Sequence, residues 1–140
     1  ATAKRREEEF VVDCLVTDGG GIPRNLTVAS GLCLVKLSAF SIEGFVRKTS
    51  HNPTQRLGIV DKGHLGIGAD ADVTVVDLDC QRPTLGVSNG RIIMYKGLPC
   101  GSGTRIITTP FGKSAIREKG LATLVVDPAS LQLHCRDQIR

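Results

Sequence analysis

The sequence predicts an α+β fold in two parts. Residues 1–60 hold one strand followed by helices, and residues 61–140 are mostly β with a helix towards the C-terminus. Two observations lead to this prediction. Apolar residues recur at helical spacing between residues 26 and 57, and β-branched residues and turn signals dominate after Gly68. The chain has 140 residues, of which 41% are hydrophobic and 23% charged, which is the composition of a globular domain.

The first part begins with a strand and continues with three helices. Phe10 to Thr17 is a nearly continuous apolar run, typical of a strand that is covered on both faces in a parallel sheet. The glycine-rich segment 19–25 predicts a loop. Leu26 to Ala39 predicts a mostly buried helix, Ser41 is placed to cap a second helix, and Asn52-Pro53 predicts the start of a short third one.

The second part changes to β-strand periodicity. Residues 71–79 (ADVTVVDLD) predict a strand by their β-branched content, and Asn89-Gly90 is the two-residue turn of a predicted hairpin. Residues 104–109 predict a further strand. The segment 110–120 begins with proline and ends with glycine, which predicts a helix. Leu121 to Val126 is one more short apolar run.

The composition of the sequence predicts where the protein is located and whether it contacts a membrane. No apolar run approaches the roughly 18 residues that a bilayer-spanning helix needs, and the first ten residues lack the apolar core of a signal peptide. We therefore expect a cytoplasmic protein without membrane contact. The five cysteines include no close pair, which predicts free thiols rather than a disulfide framework or a zinc ribbon.

The net charge of +4 is unevenly distributed. Residues 91–140 carry eight Lys or Arg against three Asp or Glu. These basic residues are dispersed and have few aromatic neighbours that could stack on bases. They predict a solvated surface, so we expect no nucleic-acid partner.

The stretch DKGHLGIGADADVTVVD (residues 61–77) concentrates acidic residues, glycines and one histidine. A calcium loop needs alternating oxygen ligands and a closing Glu, but here the alternation stops after Asp70 and Asp72. A zinc site needs converging ligands, and His64 has no partner one helical turn away. Glycines and aspartates are also the residues of irregular turns, so the stretch predicts a turn that leads Val73 into a strand.

Residues 52–79 (NPTQRLGIVDKGHLGIGADADVTVVDLD) resemble the C-terminal signature of the amidohydrolase superfamily, which includes dihydroorotases, hydantoinases and enamidases. That signature reads approximately N-P-A, a short gap, G-x-I-x-x-G-x-D-A-D and then a strand. The matching positions are Asn52-Pro53, Gly58, Gly63, Leu65, Gly68, Asp70, Ala71, Asp72 and Asp77. Residues 87–97 resemble the hairpin that follows in the family. The resemblance implies the last βα unit of a (β/α)₈ barrel (residues 1–60) joined to a small β-sandwich, or composite, domain (residues 61–140).

Residues 12–25 resemble the eighth barrel strand and its loop. In the family this strand ends in an aspartate that ligates a metal and shuttles protons to and from the attacking hydroxide. Asp18 stands at that place, which makes it the candidate catalytic residue and metal ligand in the context of a complete barrel. The alternative is that Asp18 only begins a turn before the glycines.

The chain departs from the family in its histidines. Family members carry an H-x-H pair and further histidines before this aspartate, whereas the three histidines here (His51, His64 and His134) all follow Asp18. Residues 101–140 match no pattern of the family. We therefore expect the C-terminal fragment of an amidohydrolase that hydrolyses a C–N bond in an amide or cyclic amide with zinc or another divalent metal.

The fragment hypothesis predicts an isolated chain that holds no cofactor and is inactive. The alternative is a non-catalytic β module that binds a partner chain or associates with itself. In both cases the expected partner is another copy of the chain, giving a homo-oligomer, or a separate chain that bears the barrel.

Overall fold

The computed structural model describes residues 10–16, 26–102 and 105–131, and within them the fold is mixed α+β, as the sequence predicted. The helical elements are α1 (Leu26–Lys36), α2 (Ile42–Val46), a π-helical turn (Arg47–His51), α3 (Asn52–Arg56), α4 (Lys113–Glu118) and 3₁₀ turns at Pro110–Gly112 and Pro128–Ser130. The strands are β1 (Val73–Asp77), β2 (Arg82–Ser88), β3 (Arg91–Tyr95), β4 (Leu98–Pro99), β5 (Ile106–Thr108) and β6 (Thr123–Val125).

Helices α2 and α3 form one continuous helical segment. Ser41 caps its start, as predicted, because its hydroxyl accepts a hydrogen bond from the Gly44 amide at 3.0 Å. Helix α3 begins at Asn52-Pro53, as predicted, and the π-helical turn joins it to α2 without a break. The Asn52 amide donates to the Arg47 carbonyl five residues earlier. A wider turn at this point accommodates Pro53, which has no amide hydrogen and whose ring crowds the preceding turn.

The predicted strand from Phe10 to Thr17 does not form over residues 10–16. Phe10 makes an isolated bridge, and the residues after it have no regular structure. A strand of a parallel sheet needs neighbouring strands for its backbone groups, and no strand among the described residues supplies them. The backbone of this segment instead bonds to the helical segment. Thr17, Asp18 and the predicted loop at 19–25 lie outside the described residues.

Strands β1 to β4 form an antiparallel sheet in chain order. Asn89 and Gly90 have φ values of 50° and 73°, which both lie in the left-handed region that a two-residue hairpin turn requires. The predicted hairpin is therefore confirmed. A second turn of the same kind, Lys96-Gly97, joins β3 to β4 and was not predicted. The register shifts once in each of the first two strand pairs, between Val75 and Val76 and between Gly86 and Val87.

Strands β5 and β6 form a second, two-stranded sheet and are parallel, with α4 in the connection between them. The predicted strand and helix between residues 104 and 120 are confirmed, and the apolar run after them contains β6. The described residues thus contain one antiparallel and one parallel sheet. The finer prediction, a barrel unit joined to a β-sandwich, remains a proposal.

The apolar core lies among the helices. Leu32, Phe40 and Phe45 are buried, and Phe10 packs edge-on against Phe40 with ring centroids 6.0 Å apart. Val76 of the sheet also packs against this cluster, so β1 is anchored to the helices. The longest uninterrupted α-helix in the described part of the chain, α1, has 11 residues, and no helix there has the length and apolar character needed to cross a membrane.

Candidate functional site

Asp18, the predicted catalytic residue, lies outside the described residues, so the structure bears only on the segment that leads to it. That segment, residues 12–15, lies against the helical segment 42–56. Three side chains on one side of the helical segment contact it, spaced four residues apart: Lys48, Asn52 and Arg56. We call these three residues the helical clamp.

The helical clamp holds mainly backbone groups. The Asn52 side-chain amide donates to the Asp13 carbonyl at 2.7 Å, and the Lys48 ammonium donates to the Val12 carbonyl. The Leu15 amide in turn donates to the Lys48 carbonyl at 2.9 Å. The Arg56 guanidinium pairs with the Asp13 carboxylate. These bonds replace the ladder that a sheet would have supplied, and they fix the path of the chain three residues before Asp18.

Lys48 is the only buried charged residue in the described part of the chain, with 7% of its surface exposed. A buried ammonium is costly unless acceptors surround it. Here the Val12 carbonyl accepts one hydrogen bond, and the Phe10 ring lies 4.6 Å from the nitrogen and adds a cation–π contact. Lys48 therefore ties residues 10–12 to the helices through polar and aromatic contacts at once.

Cys14 lies within this segment but is poorly suited to act as a nucleophile. Burial raises the pKa of its thiol, the neighbouring Asp13 carboxylate raises it further, and Arg56 and Lys48 only partly oppose this. A thiol that remains protonated at neutral pH is a weak nucleophile. The described cysteines are free thiols, as predicted: Cys14, Cys33, Cys80 and Cys100.

The acidic stretch that begins at Asp61 forms a charged cluster rather than a metal site. The Lys62 ammonium bonds to the carboxylates of both Asp70 (2.7 Å) and Asp72, and the Arg105 guanidinium bonds to Asp70 at 3.1 Å. Asp72 also accepts the Asn89 amide at 2.6 Å, which joins the cluster to the hairpin turn. We call Lys62, Asp70, Asp72 and Arg105 the ion cluster; it connects the turn before β1 to the residue before β5.

The pKa values of the ion cluster follow from these bonds. The hydrogen bond from Lys62, followed by that from Arg105, lowers the pKa of Asp70. Desolvation raises the pKa of Asp72, but the bonds from Lys62 and the Asn89 amide outweigh it and the net shift is downward. For Lys62, desolvation is likewise outweighed by the two carboxylates, so its pKa is raised. All three groups are held in their charged forms.

His64 and the glycines complete the turn. The Gly66 amide donates to Nδ1 of His64 at 3.0 Å, so Nδ1 is the acceptor and Nε2 donates to the Val60 carbonyl at 2.9 Å. Both ring nitrogens are therefore occupied within the turn. At Gly63, φ is 78° and a Cβ atom would lie 2.2 Å from the Thr54 hydroxyl, so only glycine fits here. The turn interpretation of the stretch is confirmed.

The described residues contain no group of three or more His, Cys, Asp or Glu side chains that could hold a metal ion. The ion cluster has two carboxylates, and their two negative charges are already balanced by Lys62 and Arg105. This part of the chain does not fit a metal without further ligands.

The comparisons with known proteins do not assign a family. No protein-family model matches the chain, and no curated protein matches it either.

Neither of the two lysines that organise these contacts, Lys48 and Lys62, was predicted from the sequence. Lys48 lies three residues after the buried Phe45 and four before Asn52, so it falls on the inward side of the helical segment. A charge on the apolar side of a helix was the available signal. Lys62 stands within the acidic stretch, where a cation near Asp70 and Asp72 offered a simpler explanation of the acids than a metal.

Proposed function

We propose that the chain is the C-terminal part of a metal-dependent amidohydrolase that hydrolyses the C–N bond of an amide or cyclic amide. The observation that supports this best is the contact between Asn52 and Asp13. It brings together the two segments on which the resemblance rests, the one leading to Asp18 and the one beginning with Asn52-Pro53. The confirmed turn at 61–72 before β1 agrees with the same order of elements.

In this proposal Asp18 is a metal ligand and proton carrier of a complete barrel, and the helical clamp positions the chain before it. The metal would be zinc or another divalent ion. Because the described residues do not supply the remaining ligands, no catalytic step can be assigned to this chain alone. The isolated chain is expected to be inactive.

The coding sequence upstream of this chain tests the proposal. We expect it to continue in frame and to encode an H-x-H pair followed by further histidines. The extended protein should bind about one or two divalent ions and hydrolyse dihydroorotate, a hydantoin or an N-acyl amino acid. In it, Asp18→Asn should lower kcat by about 10²-fold or more, since it removes a ligand and a proton carrier.

The matched control is Asp61→Asn, an exposed aspartate in the turn, which should leave kcat within about twofold of the parent. An upstream sequence without histidine ligands, or an active extended protein that tolerates Asp18→Asn, would contradict the proposal. The isolated chain provides a second check. Turnover of any of these substrates by the pure 140-residue chain with zinc would show that the fragment hypothesis is wrong.

A second candidate function is a non-catalytic module that binds a separate barrel-bearing chain. It is favoured by the apolar side chains left open around residues 10–16, where Val11 is 49% and Val16 78% exposed, and at Leu37, which is 71% exposed. The chain should then bind a hydrophobic dye, and Val16→Ser should reduce that binding. Unchanged dye fluorescence in this variant would count against a partner at this surface.

A further inference from the structure

One face of the four-stranded sheet carries a row of apolar side chains that crosses all four strands. The register pairs Val75 with Leu85, Leu85 with Tyr95, and Tyr95 with Leu98. Residues directly opposite each other on antiparallel strands point to the same face. These four side chains therefore form one continuous row.

A second row lies beside the first. Val73 pairs with Val87, and Val87 pairs with Ile92. The register shift between Gly86 and Val87 leaves Ile93 as an extra residue in β3, which is a β-bulge. Because of this bulge, Ile92 and Tyr95 point to the same face although they are three residues apart, and both rows lie on one face. The space around Gly86 supports this, since a Cβ atom there would contact Met94 and Ile93, which places both on the opposite face.

The two faces differ in what covers them. Val76 points away from the two rows and packs against the helical core. The face with the rows is open: Val75 is 44%, Ile92 56%, Tyr95 56% and Leu98 71% exposed. The other three members of the rows, Val73, Leu85 and Val87, are partly buried. We call the surface formed by Val73, Val75, Leu85, Val87, Ile92, Tyr95 and Leu98 the open sheet face.

We propose that the open sheet face is a self-association surface, on which the same face of a second copy of this chain stacks. Two sheets pack face to face at about 10 Å with their strands roughly aligned. Stacking two such faces would bury on the order of 1,000 Å² in total, the area at which specific interfaces begin. The dimer of this chain is therefore expected to be weak.

The charges at the ends of the strands favour one arrangement of the two copies. The C-terminal ends of β1 and β3 lie at the same end of the sheet, because each strand is antiparallel to β2. Asp79 lies in the turn after β1, and Lys96 lies in the turn after β3. A two-fold axis parallel to the strands lays β1 of one copy over β3 and β4 of the other. Asp79 of each copy then faces Lys96 of the other.

The other face-to-face arrangement is disfavoured by charge. If the two-fold axis ran perpendicular to the strands, each strand would lie over the same strand of the other copy and run in the opposite direction. Lys96 of each copy would then lie over Arg91 of the other, at the start of β3. Like charges at both ends oppose this packing. The charges thus select a single isologous dimer.

Sedimentation equilibrium of the full chain at concentrations up to about 0.5 mM tests the proposal. We expect a monomer–dimer equilibrium, and Tyr95→Lys should raise its Kd about tenfold or more by placing charge in the centre of the interface. The control is Phe111→Lys, since Phe111 is 93% exposed but lies outside this sheet, and it should leave the Kd unchanged. Circular dichroism checks that each variant is folded.

Charge reversal tests the arrangement itself. Asp79→Lys and Lys96→Asp should each raise the Kd about threefold to tenfold, and the double variant should restore most of the affinity. A chain that is monomeric over the whole concentration range, or a dimer that Tyr95→Lys does not weaken, would overturn the proposal. A dimer weakened by Tyr95→Lys but not rescued by the double reversal would overturn the proposed axis.

Discussion

The helical region (residues 26–59) and the four-stranded sheet (residues 73–99) are ordered by different means. The helical region encloses most of the buried apolar side chains in the described chain, and it buries a lysine as well. The sheet has a defined register and two left-handed turns, yet the only residue buried in it is Gly86. Turn geometry and hydrogen bonding therefore specify the sheet, whereas packing specifies the helices.

This difference shows where each region depends on something outside it. The helices enclose their core, and the side chains of the helical clamp bind residues 12–15. The sheet is anchored through Val76 on one face and leaves its other face to a partner. Substitutions should consequently be most costly among the helices and least costly in the turns of the sheet.

The largest effect is expected from Phe45→Ala. Phe45 is 5% exposed and stacks on Phe40 with ring centroids 6.2 Å apart. Its loss should lower the free energy of unfolding by about 3–5 kcal/mol, measured by urea denaturation. The neighbouring Val46→Ala is the control, since Val46 is 51% exposed, and it should cost less than about 1 kcal/mol. Equal costs for the two variants would show that the core does not lie where we describe it.

Lys48→Met tests the link between the helices and residues 12–15. The substitution keeps the apolar stem but removes the donor to the Val12 carbonyl, at a local cost of about 1–3 kcal/mol. Hydrogen exchange at the Leu15 amide should become about tenfold faster or more as the segment loosens. The control is Lys36→Met on the exposed side of α1. Unchanged exchange at Leu15 would mean that Lys48 does not hold the segment.

Acid pH should weaken the ion cluster, and with it the connection between the turn before β1 and the residue before β5. The pKa values of Asp70 and Asp72 are below 3.8 in the folded chain, so their contribution to stability is complete above pH 3.8. It is lost as the pH falls through the lowered values. The double variant Asp70→Asn and Asp72→Asn should therefore be less stable near neutral pH but lose less stability on acidification. The control is Asp61→Asn, an exposed aspartate outside the ion cluster.

At alkaline pH the same cluster behaves in the opposite sense. The pKa of Lys62 is raised above 10.5, so its contribution is complete below that pH and is lost as the pH rises through the raised value. Urea denaturation at a series of pH values measures both effects. A pH profile that is the same in the wild type and the double variant would contradict the role we assign to the ion cluster.

The elements with local signals could be predicted from the sequence. The Ser41 cap, the Asn89-Gly90 turn and the helix between Pro110 and Gly120 each depend on a few adjacent residues whose conformational preferences act alone. The charged stretch after Asp61 could also be recognised as a turn. Its glycines and aspartates were sufficient to predict the turn, but they did not identify Lys62 as the residue that pairs with the aspartates.

The elements that depend on distant residues could not be predicted in this way. Phe10 to Val16 has the composition of a buried strand, but a strand also needs neighbours, and here the helical clamp takes their place. Lys48 was not predicted to be buried, because a lysine in a helix normally faces water; its position on the apolar side of the helical segment was the one signal against this. For Asp18 the sequence supplies a hypothesis through the resemblance, and the structure describes only the chain that leads towards it.

The smallest effect is expected from substitutions in the two turns of the sheet, Asn89-Gly90 and Lys96-Gly97. Asn89 and Lys96 occupy the same position of their turns, with φ values of 50° and 51°. Asparagine tolerates this left-handed conformation better than lysine does, because its short side chain bonds locally. Lys96→Asn should therefore stabilise the chain by about 0.5 kcal/mol in urea denaturation at low protein concentration, where any dimer is dissociated. The converse change, Asn89→Lys, should destabilise it by a similar amount. If both substitutions destabilised the chain, the lysine side chain itself, which lies over Tyr95 with its nitrogen 5.5 Å from the ring centroid, would be contributing more than the turn conformation costs.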